Sequence, residues 1–389
     1  MFRAEVQPQL EQKILPFWKG LKDEAGGGFY GFMDNNLLLN RSADKGCILN
    51  SRILWTFSTA AAELKNDELR QYADHAMEFF RRFEDPVHGG VYWSVTCDGK
   101  PADTTKHTYC QAFAIYGLAA YYRLTGKREA LEKAMKLFRI IESRCRDESG
   151  YLEAMKADFS PESNEKLSEN GVMASRTMNT LLHVLEAYAE LYRAFPDGQL
   201  RVDGIEALNQ FTEKIYNPAK RRMEVFFDSD FRSLLDMQSF GHDIEGSWLI
   251  WDAAETFLAP DEREPWRKMC LDLLESSTER AFTDHGLDYE IVDGAVNTTR
   301  AWWPQAEAML GFEFGWRMTK DPLWLSRMRI QWDYILRTVV DPRKGGEWFN
   351  ELREDGTLIN GKPMVDEWKC PYHNGRMCLR LMNAGLPDV

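Results

Sequence analysis

The C-terminal stretch WKCPYHNGRMC (368–378) brings Cys370, His373 and Cys378 within nine positions. Upstream, FGHDIEGSWL (240–249) carries His242 and Glu245 three apart, and TMNTLLHVLEAY (177–188) carries Asn179 and His183 four apart. Both spacings put the pair on one helical face. Imidazole titrates near neutral pH, so three histidines and a glutamate suit proton transfer in water. NSRILW adds Arg52, HTYCQAF (107–113) adds His107, Tyr109 and Gln111, and AWWPQAEAM adds Trp302, Trp303, Gln305 and Glu307. Arg52 reads either as a buried ion-pair partner or as a substrate ligand. Trp302 and Trp303 are adjacent and point in different directions, so at most one is expected to face a shared pocket. His75, His88 and His285 read as satisfied core or surface residues, and Cys110 as packing.

A metal is the competing use of these side chains. His242 and Glu245 form an H-x-x-E pair, and Cys370 and His373 a C-x-x-H pair. Zinc sites usually need a second paired half-site, and no second cysteine pair exists. There is no H-E-x-x-H motif and no EF-hand loop. A His–Glu site for another divalent ion stays open on sequence grounds, but the expectation is no metal and no cofactor. No phosphate-binding glycine loop or G-x-S-x-G elbow is present.

The elements that must position these groups are mostly helices. CQAFAIYGLAAYYRL, TMNTLLHVLEAYAELYRAF and AEAMLGFEFGWRM are apolar on more than one face, which predicts burial on two sides. NDELRQYADHAMEFFRRF and KREALEKAMKLFRIIESR have charged outer faces. The two kinds alternate. Between helix pairs lie turn-rich segments at 23–33, 85–95, 147–155, 217–227, 284–292 and 341–352, most with Asp-Pro, Gly-Gly or Asn-Pro before an aromatic or β-branched run. Their period of roughly 60–70 residues leaves room for two helices each. A first helix at 4–20 and a last at about 371–386 would pair and close a ring. The predicted fold is therefore all-α: one (α/α)6 barrel of six helix-pair repeats spanning 1–389, with short β-hairpin and loop insertions at one end. An open α-solenoid is the alternative. In the closed form the polar residues at the starts of the inner helices converge on one aromatic-walled pocket.

The net charge of −13 argues against nucleic acid or an anionic membrane as partner. No apolar run approaches the roughly 18–20 residues of a membrane span. The opening MFRAEVQPQLEQKILPFWKG lacks the continuous apolar segment of a signal peptide. Seven scattered cysteines then read as reduced thiols in a cytoplasm.

Aromatic platforms suit sugars, whose C–H faces pack on rings. Changing the C2 configuration of an aldose needs an open-chain aldehyde, a base for the C2 proton, an enediol or enediolate, and an acid on the opposite face. Two histidines can supply base and acid, and an Arg near O1 and O2 would stabilise the developing charge. SRILW (51–55), KHTY (106–109), TMNTLLHVLEAY, FGHDIEGSWL, RAWWPQAEAMLGF (300–312) and WKCPYHNGRMC, in this order, resemble the cellobiose 2-epimerases of the N-acylglucosamine 2-epimerase superfamily. The resemblance implies reversible C2 epimerisation of the reducing-end glucose of β-1,4-linked disaccharides, with cellobiose, lactose or mannobiose-type sugars as partners and a monomeric enzyme. It implies His242 and His373 as the two-base pair, and His183 and Glu245 as helpers in ring opening and orientation. Arg52, Tyr109, Asn179 and Glu307 would bind the sugar, with Trp303 and Trp368 as platforms. The alternatives are a monosaccharide epimerase or aldose–ketose isomerase, an inverting glycoside hydrolase using Glu245 and Glu307, and a non-catalytic sugar-binding protein.

Overall fold

The computed structural model describes residues 2–387; Met1, Asp388 and Val389, part of the expected 1–389 span, lie outside the described residues. An inner ring is formed by α2 (Cys47–Leu64), α4 (Thr108–Thr125), α6 (Met178–Ala194), α8 (Phe240–Phe257), α10 (Trp302–Thr319) and α12 (Tyr372–Asn383). An outer ring is formed by α1 (Phe2–Gln9, continued through Leu10–Ile14 and Leu15–Lys19), α3 (Asp67–Phe80), α5 (Arg128–Arg144), α7 (Gly198–Gln210, continued through Phe211–Ile215), α9 (Glu264–Ala281) and α11 (Pro322–Tyr334, continued through Ile335–Val339). Each inner helix packs on the next, α12 packs on α2, and α1 packs on α12. The ring is closed, and the fold is the all-α (α/α)6 barrel.

Composition decides which helix goes inside. α2 buries 14 of its 18 residues, because CILNSRILWTFSTAAAEL has no solvated face. α3 buries only Leu69, Ala73, Ala76, Met77, Phe79 and Phe80, whose spacing traces one stripe. Each large apolar side chain so buried stabilises the fold by about 1.5–3 kcal/mol. Inner helices also touch backbone to backbone: a Cβ added at Gly117 of α4 would stand 2.6 Å from the Ser51 carbonyl oxygen of α2.

Short ladders at one end follow the same ring. The segment before each inner helix pairs with the next unit's hairpin: 45–46 with 94–95, 106–107 with 154–155, 176–177 with 226–227, 237–239 with 290–292, and 300–301 with 351–352. Met33 with Val365 closes the sixth step. Ion pairs with a buried cation tie hairpins to inner-helix starts: Lys45–Asp23 at 2.7 Å, Lys106–Asp85 at 2.9 Å, Arg176 with the exposed Asp147 at 2.7 Å, Arg300–Asp288, and Lys369–Glu347 at 2.5 Å. The fourth unit carries Gln238 instead, bonded to Asp243 and Arg280. Removing one partner of a fully buried pair such as Lys369–Glu347 typically costs about 3–5 kcal/mol.

Candidate active site

Side chains at the inner-helix starts split into two sets. One set faces the hairpins. Gln111 accepts from the Val91 N–H at 2.8 Å and donates to the Val91 carbonyl at 2.9 Å, and Gln305 does the same to Leu287 at 2.9 and 2.9 Å. Asn50 accepts from Phe29 N–H and Asp243 from Met223 N–H. His107 also belongs to this set: fully buried, it bonds Asn164 through Nε2 and accepts from the Tyr109 N–H through Nδ1. Burial depresses it to about 4.

The other set faces the axis. Arg52, Tyr109, Asn179, His183, His242, Glu245, Trp302, Trp303, Trp368 and His373 line one cavity of about 470 Å³ at the hairpin end, within the usual size range of small-molecule sites. His242 and His373 both pack on the Trp303 ring, at 4.6 and 5.5 Å between centroids. Trp302 lies 5.2 Å from His373 and also reaches the cavity, so both tryptophans face it and the expectation of one is corrected. α10 begins at Trp302, where the chain turns from strand into helix, and both side chains line the cavity. Trp368 packs against Trp93 and Tyr109 at 5.7 and 5.8 Å. His75 donates to the Gly28 carbonyl, His88 pairs with Asp85, and His285 is exposed; none of them lines this cavity.

His373 Nδ1 donates to Glu307 at 2.7 Å, which leaves Nε2 for the cavity. Glu307 also accepts from Arg376 at 2.8 Å and from the Trp248 N–H at 2.9 Å. It is wholly buried and stands behind His373, away from the cavity wall where a substrate ligand was expected. Arg376 donates at 2.8 Å to Glu245, and its other terminal nitrogen donates at 2.5 Å to Glu186. Glu186 accepts from His183 Nδ1 at 2.9 Å and from the Tyr372 hydroxyl at 2.5 Å. One guanidinium thus links the carboxylate partners of two cavity histidines.

Glu186 and Arg376 were not singled out from the sequence. The available signal was helical spacing, His183 with Glu186 and Tyr372 with Arg376, combined with charge on helices that have no solvated face.

Burial holds His373 well below the usual imidazole range, reinforced by the charges of Arg376 and Arg52. Burial brings His242 to about 3, with His183 adding to it. Burial lifts Glu245 to about 7, helped by the neighbouring Glu307 and opposed by Arg376. Burial also pushes Glu186 upward, but the Arg376 charge and the His183 hydrogen bond outweigh it and hold Glu186 at about 2.

Arg52 is buried, donates to the Tyr109 hydroxyl at 2.7 Å, and stacks over Phe113 at 4.0 Å. Among the described residues no carboxylate lies within 4.0 Å of it. The ion-pair reading of Arg52 therefore gives way to a cation facing the cavity. The side-chain amide oxygen of Asn179 is buried without a hydrogen-bond partner. Cys370 and Cys378 are fully buried, and Cys370 accepts a weak 3.7 Å contact from Arg52. Glu245, Glu307 and His373 bring ligand-type atoms within 4.8 Å of one another. The cation that the two carboxylates hold is the Arg376 guanidinium.

Comparison with known proteins identifies the family of the chain. The sequence pattern of the N-acylglucosamine 2-epimerase family matches residues 27–374. A cellobiose 2-epimerase of Eubacterium cellulosolvens is 47% identical, covering 98% of each chain. The structure of a cellobiose 2-epimerase from Bacillus thermoamylovorans superposes with a TM-score of 0.95 at 40% identity, over 98% of this chain and 99% of that one. A sugar epimerase from a ruminal bacterium superposes with a TM-score of 0.98 at 41% identity over the whole of both chains.

Proposed function

The chain belongs to the N-acylglucosamine 2-epimerase family, and from that premise we propose that it inverts C2 of the reducing-end glucose of β-1,4-linked disaccharides. Cellobiose becomes glucosyl-mannose and lactose becomes epilactose. The observation that carries the reading is the pairing of His242 and His373 on Trp303 in one cavity, beside the unpaired Arg52. The names of the relatives support cellobiose as substrate.

In this mechanism the sugar ring opens first. Glu245, lifted to about 7, exchanges a proton readily at neutral pH, and His183 assists. One imidazole then takes the C2 proton; the C2–H electron pair moves into the C1–C2 bond and O1 gains negative charge. Arg52 stabilises that charge, and Tyr109 and Asn179 hold the sugar hydroxyls. The second imidazole returns a proton to the opposite face, and the ring closes. Trp303 and Trp368 supply stacking surfaces. Hydrolysis fits less well: an inverting hydrolase needs two carboxyls about 6.5–9.5 Å apart with water between. Here Glu245 and Glu307 share one guanidinium nitrogen at 2.8 Å each.

The test is incubation with cellobiose in D₂O, with and without EDTA, following C2 by NMR. Deuterium at C2 of the product and no loss with EDTA are expected. His242→Asn and His373→Asn each abolish turnover. Product without solvent deuterium, turnover of mannose or N-acetylglucosamine alone, free glucose, or an unchanged spectrum over hours would each overturn the reading.

A further inference from the structure

The two histidines differ in what stands behind them. His373 Nδ1 meets a carboxylate at 2.7 Å, and that carboxylate is held by Arg376 and Trp248. His242 Nδ1 meets only the Ser239 hydroxyl, also at 2.7 Å. Among the described residues no carboxylate lies within 4.0 Å of His242.

Ser239 is the N-cap residue of α8, and His242 is its third residue. A serine at that position ordinarily accepts a hydrogen bond from a backbone N–H of the first turn. The side chains of Thr177 on α6 and His107 on α4 do so, accepting from Thr180 N–H and Tyr109 N–H. Ser239 makes no such bond. Its hydroxyl is 3% exposed at the residue level and is turned onto His242. The backbone holds it there, because Ser239 ends strand 237–239 in register with Glu290. The helix forgoes its cap, and the hydroxyl is spent on the imidazole.

We propose that Ser239 is a positioning residue that accepts the Nδ1–H of His242, aims Nε2 into the cavity and, lacking charge, leaves His242 the stronger acid of the pair. This rests on the epimerase reading above. The proton balance follows. His373, neutral, takes the C2 proton on Nε2 and becomes an imidazolium opposed by Glu307. His242, which burial keeps neutral at rest, takes up a solvent proton on Nε2 and gives it to C2 on the other face, keeping Nδ1–H on Ser239 throughout. In the reverse direction the two exchange roles. A charged acceptor favours the imidazolium and a neutral one favours its release. Loss of the hydroxyl frees the ring to rotate, and the enediolate then persists long enough to take a proton at C1 and leave as the ketose.

The experiment compares Ser239→Ala, Ser239→Thr and the parent. The parent is first scored for C2 deuterium from D₂O; its failure there sinks the epimerase reading and not this one. In Ser239→Ala, kcat falls about 10–100-fold with KM within about twofold, and the ketose-to-epimer ratio rises. Ser239→Thr, which keeps the hydroxyl, stays within about threefold of the parent. Independently of turnover, nitrogen-15 spectra of the folded protein show the His242 tautomer signature changed in Ser239→Ala and kept in Ser239→Thr. Should Ser239→Ala fail to fold, Ser239→Cys, close in shape and a weak acceptor, carries the same readouts. An unchanged His242 signature, an unchanged kcat, or a loss that Thr fails to restore overturns the proposal.

Discussion

Replacing Glu307 with Gln separates two roles for that residue. A substrate ligand would raise KM when altered. A group behind His373 would lower kcat and leave KM alone. Glu307 Oε1 receives His373 Nδ1 at 2.7 Å and Arg376 at 2.8 Å, while Oε2 receives Trp248 at 2.9 Å. All three partners are donors, so the carboxamide keeps one carbonyl for two of them and sets its NH2 against the third. When His373 takes a proton, its charge forms roughly 4 Å from the carboxylate charge, worth about 4 kcal/mol at an effective dielectric constant near 20. The amide carbonyl retains a hydrogen bond worth about 1 kcal/mol. The remaining loss of about 3 kcal/mol corresponds to roughly two orders of magnitude in kcat. KM on cellobiose, measured by initial rates across the saturation curve, should stay within about threefold. A lower melting temperature accompanies it, because the lost Trp248 bond costs about 1–3 kcal/mol. A kcat within about threefold of the parent, or a tenfold rise in KM at constant kcat, would refute the reasoning.

Other substitutions test neighbouring steps. Arg52→Met removes a buried cation with no carboxylate partner, so the melting temperature should hold or rise while kcat/KM falls about 10²–10³-fold; a fall in both would mean that Arg52 is chiefly structural. Cys370→Ala and Cys378→Ala should each keep kcat/KM within about threefold, as buried thiols that pack as small apolar groups. His107 is depressed to about 4 in the folded protein against an ordinary value of 6.5. The unfolded chain therefore binds the proton first, and the stability His107 contributes is present above pH 6.5 and lost as pH falls toward 4. In urea titrations the stability difference between parent and His107→Gln should shrink by up to about 1.4 kcal/mol per pH unit across that window; an offset constant with pH would contradict it.

The period of the fold was legible because its signals are local. Gly-Gly and Asp-Pro turns mark the hairpins, and helices without a polar face announce burial on two sides. Ring closure followed from the two unpaired ends. What one helical step does to a side chain was less legible. Tyr109 faces the cavity while Gln111, two residues on, pins the Val91 backbone, and Glu307 turns behind His373 while Trp303 faces it. All are polar or aromatic groups in the first turns of inner helices, and only the packed ring assigns them to faces. Glu186 lies further along its helix, where a periodic reading sees core, and it meets Arg376 from 190 positions away in sequence.

The closed ring explains how one cation serves several acids. α6, α8, α10 and α12 each deliver one member of the cluster: Glu186, Glu245, Glu307 and Arg376. Three buried carboxyls against one guanidinium cannot all ionise cheaply. The strongest partnership falls to Glu186, held at about 2, and the proton is displaced onto Glu245, which burial pushes upward, because Glu307 already faces three donors. Glu245, the member that reaches the cavity, is thereby brought to about 7. A group placed there can give a proton to a sugar oxygen and take it back at neutral pH. Glu245→Gln should therefore slow ring opening more than C2 exchange. With ring-opened substrate limiting, total turnover should fall, while the solvent deuterium gained per epimerisation event stays that of the parent. Equal turnover of Glu245→Gln and parent on cellobiose would break this link between the shared guanidinium and the chemistry.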